Sequence, residues 1–228
     1  MTIRGMLFDI DDTLFDYTSS EHSAVVGHLT AEGLLGRFPS PEAAVARWRD
    51  IMEEEYARFL AGEVTFKEQQ RLRTARFLGE LGIEAEDPDA WFAGYAARRN
   101  EKWSAFPDAA PALEALAGRY RLGLISNSSI EHQRGKLSAI GLSGFFEESV
   151  ILCSHEYGCA KPDPRIFVAG CELLGMEPGE VAYVGDKYDV DALGAKAAGL
   201  RAYWLDRKAG GTHVEEGITV ITSLAELV

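Results

Sequence analysis

The sequence predicts an α/β fold: a doubly wound parallel sheet with a second, all-helical domain inserted after the first strand. Three observations lead there. Short apolar runs at Met6–Phe8, Leu122–Ile125, Val150–Cys153, Val181–Val184 and Ala202–Leu205 are continuous rather than alternating, as expected of strands covered on both faces. Helical patterns separate the later runs, over Ala110–Arg119, Ile130–Ile140, Pro164–Leu174 and Val190–Ala198, and strand–helix alternation builds parallel sheets. Between the first run and the second, no strand-like segment occurs.

Met1-Thr2-Ile3-Arg4-Gly5 leads straight into the first strand and has no apolar secretory segment. From about Asp16 to Phe106, amphipathic patterns run over Ser20–Leu34, Pro41–Leu60, Phe66–Leu81 and Pro88–Trp103, with punctuation at Gly36, Pro39, Gly62 and Gly82. Ser40-Pro41 reads as an N-cap followed by proline at the first helical position. The expected division is therefore a Rossmann-like core of residues 1–15 and 107–228 with a helical domain of residues 16–106. In the second half Gly141, Gly175 and Gly199 stand where helix C-termini belong, and Val220-Ile221 makes a short edge strand. Ala209-Gly210-Gly211-Thr212 reads as a mobile loop.

The chain has 228 residues, is 46% apolar and carries a net charge of −13. It is long enough to bury a substantial core. Its charge argues against nucleic acid polymers and anionic membranes as main partners, and an anionic substrate needs a local positive site. No apolar run approaches the roughly 20 residues of a membrane span. Cys153, Cys159 and Cys171 are odd in number and lack metal-ligand spacing, so they read as reduced packing thiols in a cytoplasmic protein. A monomer or a homodimer is compatible with this composition.

The chemistry collects at strand ends. Asp9-Ile10-Asp11 closes the first strand with two carboxylates, which repel at short range unless a cation or proton stands between them. Ser126-Asn127 closes the second, Lys161 lies in the proline-flanked loop Ala160–Pro164, and Gly185-Asp186 closes the fourth, followed by Asp189 and Asp191. In a parallel sheet these ends share one edge, where ligands bind. Carboxylates there suit Mg²⁺, which prefers oxygen ligands, and a hydroxyl, an amide and an ammonium suit phosphate oxygens. Taken singly, each residue has a plainer reading: a turn aspartate, an N-cap Ser126, a solvated Lys161, a helix-start Asp189. Their joint order along successive strands favours one Mg²⁺ and phosphate site.

Those motifs resemble the haloacid dehalogenase superfamily of hydrolases. Asp9-Ile10-Asp11-Asp12-Thr13-Leu14 matches its DxDxT signature, Leu124-Ile125-Ser126-Asn127 its second motif, Lys161-Pro162-Asp163 its third, and Val184-Gly185-Asp186 with Asp191 its fourth. The helical insert resembles the family's cap domain, which closes over the active site. The resemblance implies a Mg²⁺-dependent phosphomonoester hydrolase. Asp9 is then the nucleophile that forms an aspartyl-phosphate, and Asp11 is the general acid and base, with a raised pKa. Ser126 and Lys161 assist catalysis, and Thr13 and Asn127 lie on the substrate side. Asp9, Asp11 (through its backbone carbonyl), Asp186 and Asp191 are the metal ligands. Many relatives have Asn-Asp where this chain has Val190-Asp191, which leaves Asp189 and Asp191 as alternatives for the last acidic role. Asp11 also separates phosphatases from the dehalogenase branch, since an alkoxide needs a proton to leave and a halide does not.

The substrate class implied is a small phosphomonoester. Asp11–Asp16 and Ala61–Thr65 are similar to nucleoside monophosphate hydrolases, with phosphoglycolate, sugar phosphates and a sugar phosphomutase as alternatives. A receiver-type switch shares the chemistry, but at half the length and without the insert. In the insert, Trp48, Tyr56, Trp91, Tyr95 and Trp103 are either helical core or a base-stacking platform. Arg71, Arg73 and Arg76 are either a solvated helix face or an anion contact.

Overall fold

The structure is a computed structural model and describes residues 2–211 and 214–228. Of the segments singled out above, Met1 and Thr212 lie outside the described residues.

Along the chain, β1 (Gly5–Phe8) precedes four helices, α1 (Tyr17–Ala31), α2 (Pro41–Leu60), α3 (Phe66–Glu80) and α4 (Pro88–Asn100). Then follow α5 (Ala109–Ala117), β2 (Arg121–Ser126), α6 (Ile130–Ala139), β3 (Ile151–Cys153), the single turn α7 (Ser154–Tyr157) and α8 (Pro164–Leu174). The chain continues through β4 (Val181–Gly185), α9 (Leu193–Ala197), β5 (Arg201–Leu205) and β6 (Ile218–Ile221). Two compact units result: residues 1–16 with 104–228, and residues 17–103.

The first unit holds a six-stranded parallel sheet in the order β3-β2-β1-β4-β5-β6. The winding direction reverses between β1 and β4, and the crevice beyond the carboxyl ends at such a reversal is where open α/β sheets bind ligands. Phe8 of β1 is in register with Leu124 of β2 and Val184 of β4, so the three strands end within two residues of one another. Their apolar side chains, with Phe167 and Ile166 of α8, form a buried core that includes Leu7, Ile125 and Tyr183. Burial on both faces is why these strands are continuously apolar. β6 lies at the sheet edge with Thr219 and Val220 exposed.

The second unit is helical. Ser40 Oγ accepts from Ala43 N at 3.2 Å with Pro41 at the first helical position, and Thr65 with Glu68 closes a reciprocal capping box on α3. Its core is aromatic: the Trp48 ring lies 5.1 Å from Phe77 and 4.8 Å from Tyr95, and all three are fully buried. Trp48 and Tyr95 are thus core residues of the helical unit, and Trp91 packs against that core partly buried.

Two expected elements differ in detail. The pattern read as one helix over Val190–Ala198 begins instead with a π-helical turn, Tyr188–Ala192, before α9. The arginine group splits: Arg71 pairs with Asp89 at 2.6 Å and Arg76 with Glu54 at 2.5 Å, both partly exposed. Arg73 instead is buried against aromatic rings, because its position on α3 faces α2 and α4.

Candidate active site

β1 ends at Phe8, and the chain turns sharply. Leu14 N and Phe15 N both donate to the Ile10 carbonyl, and Asp12 adopts a left-handed φ of 57° that aspartate tolerates better than most residues. This turn points Asp9 and Asp11 to different neighbours.

Asp9 lies beside Lys161. The Lys161 Nζ donates to Asp9 Oδ1 at 2.6 Å, to Asp191 Oδ1 at 2.7 Å and to Tyr183 Oη at 2.9 Å, which uses all three ammonium protons. Tyr183 Oη donates in turn to Asp191 Oδ1 at 3.0 Å. Asp9, Lys161 and Asp191 are all buried. Asp191 Oδ2 accepts from Lys187 N at 3.0 Å, which anchors it where the π-helical turn begins. A Cβ on Gly185 would lie 2.4 Å from Asp191 Cγ, so only glycine at the end of β4 admits this carboxylate. Asp189, by contrast, is exposed, so the structure brings Asp191 and not Asp189 into the site.

Asp186 completes an acidic group. Ligand atoms of Asp9, Asp186 and Asp191 lie within 4.8 Å of one another. Burial, with Asp9, Asp191 and Asp12 nearby, pushes the Asp186 carboxyl up to about 8. Burial likewise pushes Asp9 up to about 7, with Lys161 pulling down and Asp191 and Asp11 pushing up. Burial opposes the charge on Lys161, but Asp191 and Asp9 outweigh it and hold the ammonium charged well above its usual range. One ammonium cannot neutralise three carboxylates, and Asp186 Oδ1 is buried with no hydrogen-bond partner among the described residues. An orphaned carboxylate oxygen in an all-oxygen group suits a hard divalent cation, so these residues fit Mg²⁺.

Asp11 turns the other way. Lys136 Nζ donates to its Oδ1 at 2.5 Å and Gln133 Nε2 to its Oδ2 at 3.0 Å. Gln133 Nε2 also lies 2.7 Å from Ser126 Oγ, which links the ends of β1 and β2 through α6. This corrects the raised pKa expected of Asp11. Burial pushes its carboxyl up, but the Lys136 ion pair and the hydrogen bonds from Lys136 and Gln133 outweigh it, and the net shift is downward. The Asp11 carboxylate is also outside the group of Asp9, Asp186 and Asp191.

Asn127 is spent on the backbone of Lys161: its Nδ2 donates to Lys161 O at 2.9 Å and its Oδ1 accepts from Lys161 N at 2.7 Å. It fixes the loop that presents the lysine. Thr13 is fully buried with no partner for its hydroxyl among the described residues, while its carbonyl accepts from Arg207 Nη2 at 2.9 Å. Arg207 is paired with Asp108 at 3.0 Å and ties the turn after β1 to the end of the chain.

Lys136, Gln133 and Tyr183 are the site residues that sequence reasoning missed. Lys136 and Gln133 are three apart on α6, hence on one face, and both are buried. The available signal was a helix whose inward face carries polar side chains where apolar ones belong.

A family model described as haloacid dehalogenase-like hydrolase matches residues 3–199. The chain belongs to that family. It is similar to the glyceraldehyde 3-phosphate phosphatase of Methanopyrus kandleri, 33% identical over 87% of this chain and 82% of that one. It is also similar to the pyrimidine 5'-nucleotidase YjjG of Escherichia coli, 32% identical over 97% of this chain and 95% of that one. Among solved structures, the HAD-hydrolase YfnB of Bacillus subtilis, bound to magnesium, superposes with a TM-score of 0.81. It is 24% identical, with 100% of this chain and 97% of that one covered, a likeness that shows the fold. No helix among the described residues is long and apolar enough to cross a membrane.

Proposed function

We propose that this haloacid dehalogenase-like phosphatase is a Mg²⁺-dependent phosphomonoester hydrolase that works through an aspartyl-phosphate on Asp9, with a small phosphorylated metabolite such as a nucleoside monophosphate as substrate. One observation carries the reading: Lys161 bridges Asp9 and Asp191 beside Asp186, at the strand ends where the winding reverses. Support for a small phosphomonoester comes from the two curated relatives, one named for a triose phosphate and one for pyrimidine nucleotides.

Asp9, Asp186, Asp191 and the Asp11 carbonyl would hold Mg²⁺, which when bound offsets the negative charge of the phosphate and of the carboxylates around it. An Asp9 carboxylate oxygen bonds to phosphorus as the bond from phosphorus to the leaving alkoxide breaks. The alkoxide takes its proton from Asp11. Water then attacks phosphorus and gives a proton to the Asp11 carboxylate, the bond to Asp9 breaks, and inorganic phosphate leaves. Lys161 stays charged throughout and balances the phosphoryl oxygens. Ser126 Oγ accepts from Gln133, which keeps the hydroxyl proton for a phosphoryl oxygen. At rest the Lys136 pair keeps Asp11 ionised, so the carboxyl takes up its proton from solvent water as substrate draws it away from Lys136.

The test is phosphate release from a panel of phosphomonoesters, with and without Mg²⁺ and EDTA, for the wild type and Asp9→Asn. Sustained turnover that needs Mg²⁺ and vanishes in Asp9→Asn is expected. Near-normal turnover by Asp9→Asn, or indifference to EDTA, would overturn the assignment.

A further inference from the structure

The helical unit contains buried charge that the reaction above does not use. Gln69 and Arg73 lie four apart on α3, and Tyr95 and Arg99 lie four apart on α4, so each pair shares a face. Arg73 is only 4% exposed, with its Cζ 4.5 Å from the centroid of Trp48, 4.9 Å from Phe92 and 5.7 Å from Tyr95. Arg99 Cζ lies 5.8 Å from the same Tyr95 ring. The two guanidiniums therefore meet around one phenol.

Arg99 Nη2 donates to Asn100 Oδ1 at 3.4 Å, but other polar atoms of the group are not satisfied. Arg73 Nε, Arg99 Nε, Tyr95 Oη and Gln69 Oε1 are buried without a hydrogen-bond partner among the described residues. Glu21 is the carboxylate close enough to influence Arg73, but its oxygens are engaged elsewhere. Oε1 accepts from Tyr17 Oη at 3.0 Å, and Oε2 accepts from Arg49 Nε at 2.8 Å and Nη2 at 2.7 Å. Aromatic faces offset part of the cost of a buried guanidinium, yet they accept no N–H bond. Burying a cation without an acceptor is costly, and natural interiors rarely leave one so. Arg71 and Arg76 on the same helix each have a carboxylate, which leaves Arg73 as the exception.

We infer that Gln69, Arg73, Tyr95 and Arg99 form a binding site for the carboxylate of a small organic acid. The donors, two guanidiniums and a phenol, call for an acceptor that carries negative charge. The enclosure of Arg73 among aromatic rings favours flat carboxylate groups, which guanidiniums pair with bidentately, over a more strongly hydrated phosphate. Gln69 Oε1 adds one acceptor, suited to a hydroxyl or ammonium group beside that carboxylate. The acid is either part of the phosphomonoester substrate or a separate small molecule.

Two measurements on the full-length protein test this. In the first, binding of succinate, with succinamide as the uncharged control, is followed by calorimetry for the wild type, Arg73→Lys and Tyr95→Phe. Saturable binding of succinate but not succinamide is expected, weakened roughly tenfold in each variant. Tyr95→Phe removes a hydroxyl whose one polar neighbour, the Trp48 indole, is too poorly placed for a proper hydrogen bond, so its melting temperature without succinate should stay close to that of the wild type, which keeps the test readable if Arg73→Lys folds poorly. Absence of succinate binding to the wild type, or equal binding to Tyr95→Phe, overturns the site.

In the second, KM and kcat are compared for phosphomonoesters with and without a carboxylate. A KM that rises in the variants only for the carboxylated esters, at unchanged kcat, identifies the acid as part of the substrate. Lost succinate binding with no such KM difference identifies a separate acid. The binding measurement does not rest on the proposed phosphatase reaction, so a wild type with no turnover would sink that reading and leave this site standing or falling on succinate alone.

Discussion

Lys136 of α6 holds Asp11, 2.5 Å away, in an ion pair whose lysine is buried and whose carboxylate is one-third exposed. The pair joins the turn after β1 to the helix after β2, and it sets the charge state of the residue assigned to proton transfer.

Substituting Lys136 with methionine removes the group that pulls the Asp11 carboxyl down while burial continues to push it up. The limb of the pH–rate profile that reports Asp11 should move to higher pH. Profiles of kcat/KM for the wild type and Lys136→Met check this, and an unmoved limb would mean that Asp11 does not titrate in the reaction.

Lys161 is expected to be as important to stability as to chemistry. Lys161→Met leaves Asp9 and Asp191 buried without their cation, which should cost about 3–5 kcal/mol of unfolding free energy. Tyr183→Phe removes a donor to Asp191 and an acceptor for Lys161, at about 1–3 kcal/mol. Urea denaturation measures both. A Lys161→Met protein as stable as the wild type would show that the carboxylates find protons or another partner.

Metal and pH should be linked. Asp9 and Asp186 stand at about 7 and about 8 in the fold against 3.8 ordinarily, so between those values the metal-free fold holds more protons than the unfolded chain. Stability is then full below the ordinary value and is lost as pH rises through about 7 and about 8. A divalent cation replaces those protons. Mg²⁺ should therefore raise the melting temperature more at about pH 9 than at about pH 5. Thermal unfolding with Mg²⁺ or EDTA at the two pH values measures it, and an equal shift at both would contradict the assigned ligands.

The pair of Arg207 and Asp108 is remote from the acidic group but supports the turn that carries it. Arg207 donates to Asp108 and to the Thr13 carbonyl, and Asp108 also accepts from Ser223 Oγ at 2.7 Å and Leu224 N at 2.9 Å. Arg207→Ala should cost about 2–4 kcal/mol, since it leaves a mostly buried carboxylate without its cation. It should also lower kcat through a loosened Asp9–Thr13 turn. Denaturation and steady-state rates on the same variant check both parts.

The strands and helices of this protein were legible locally. Continuous apolar runs mark β1 to β5, and the Ser40-Pro41 start marks α2 at its observed first residue. Side chains at strand ends were legible as well, because a parallel sheet brings Asp9, Ser126 and Asp186 to one edge whatever the loops between them do. The partners of those side chains were not. Lys136 and Arg73 look in sequence like any solvated helix cation, since a helix's own pattern records which residues share a face but not what lies opposite. Packing alone put Lys136 against Asp11 and Arg73 among Trp48, Phe92 and Tyr95. The sequence by itself thus determined the sheet, the helical insert and the acidic ladder. The tertiary structure decided which charges are neutralised and which are left seeking a partner, because burial and Coulomb attraction depend on groups far apart in the chain.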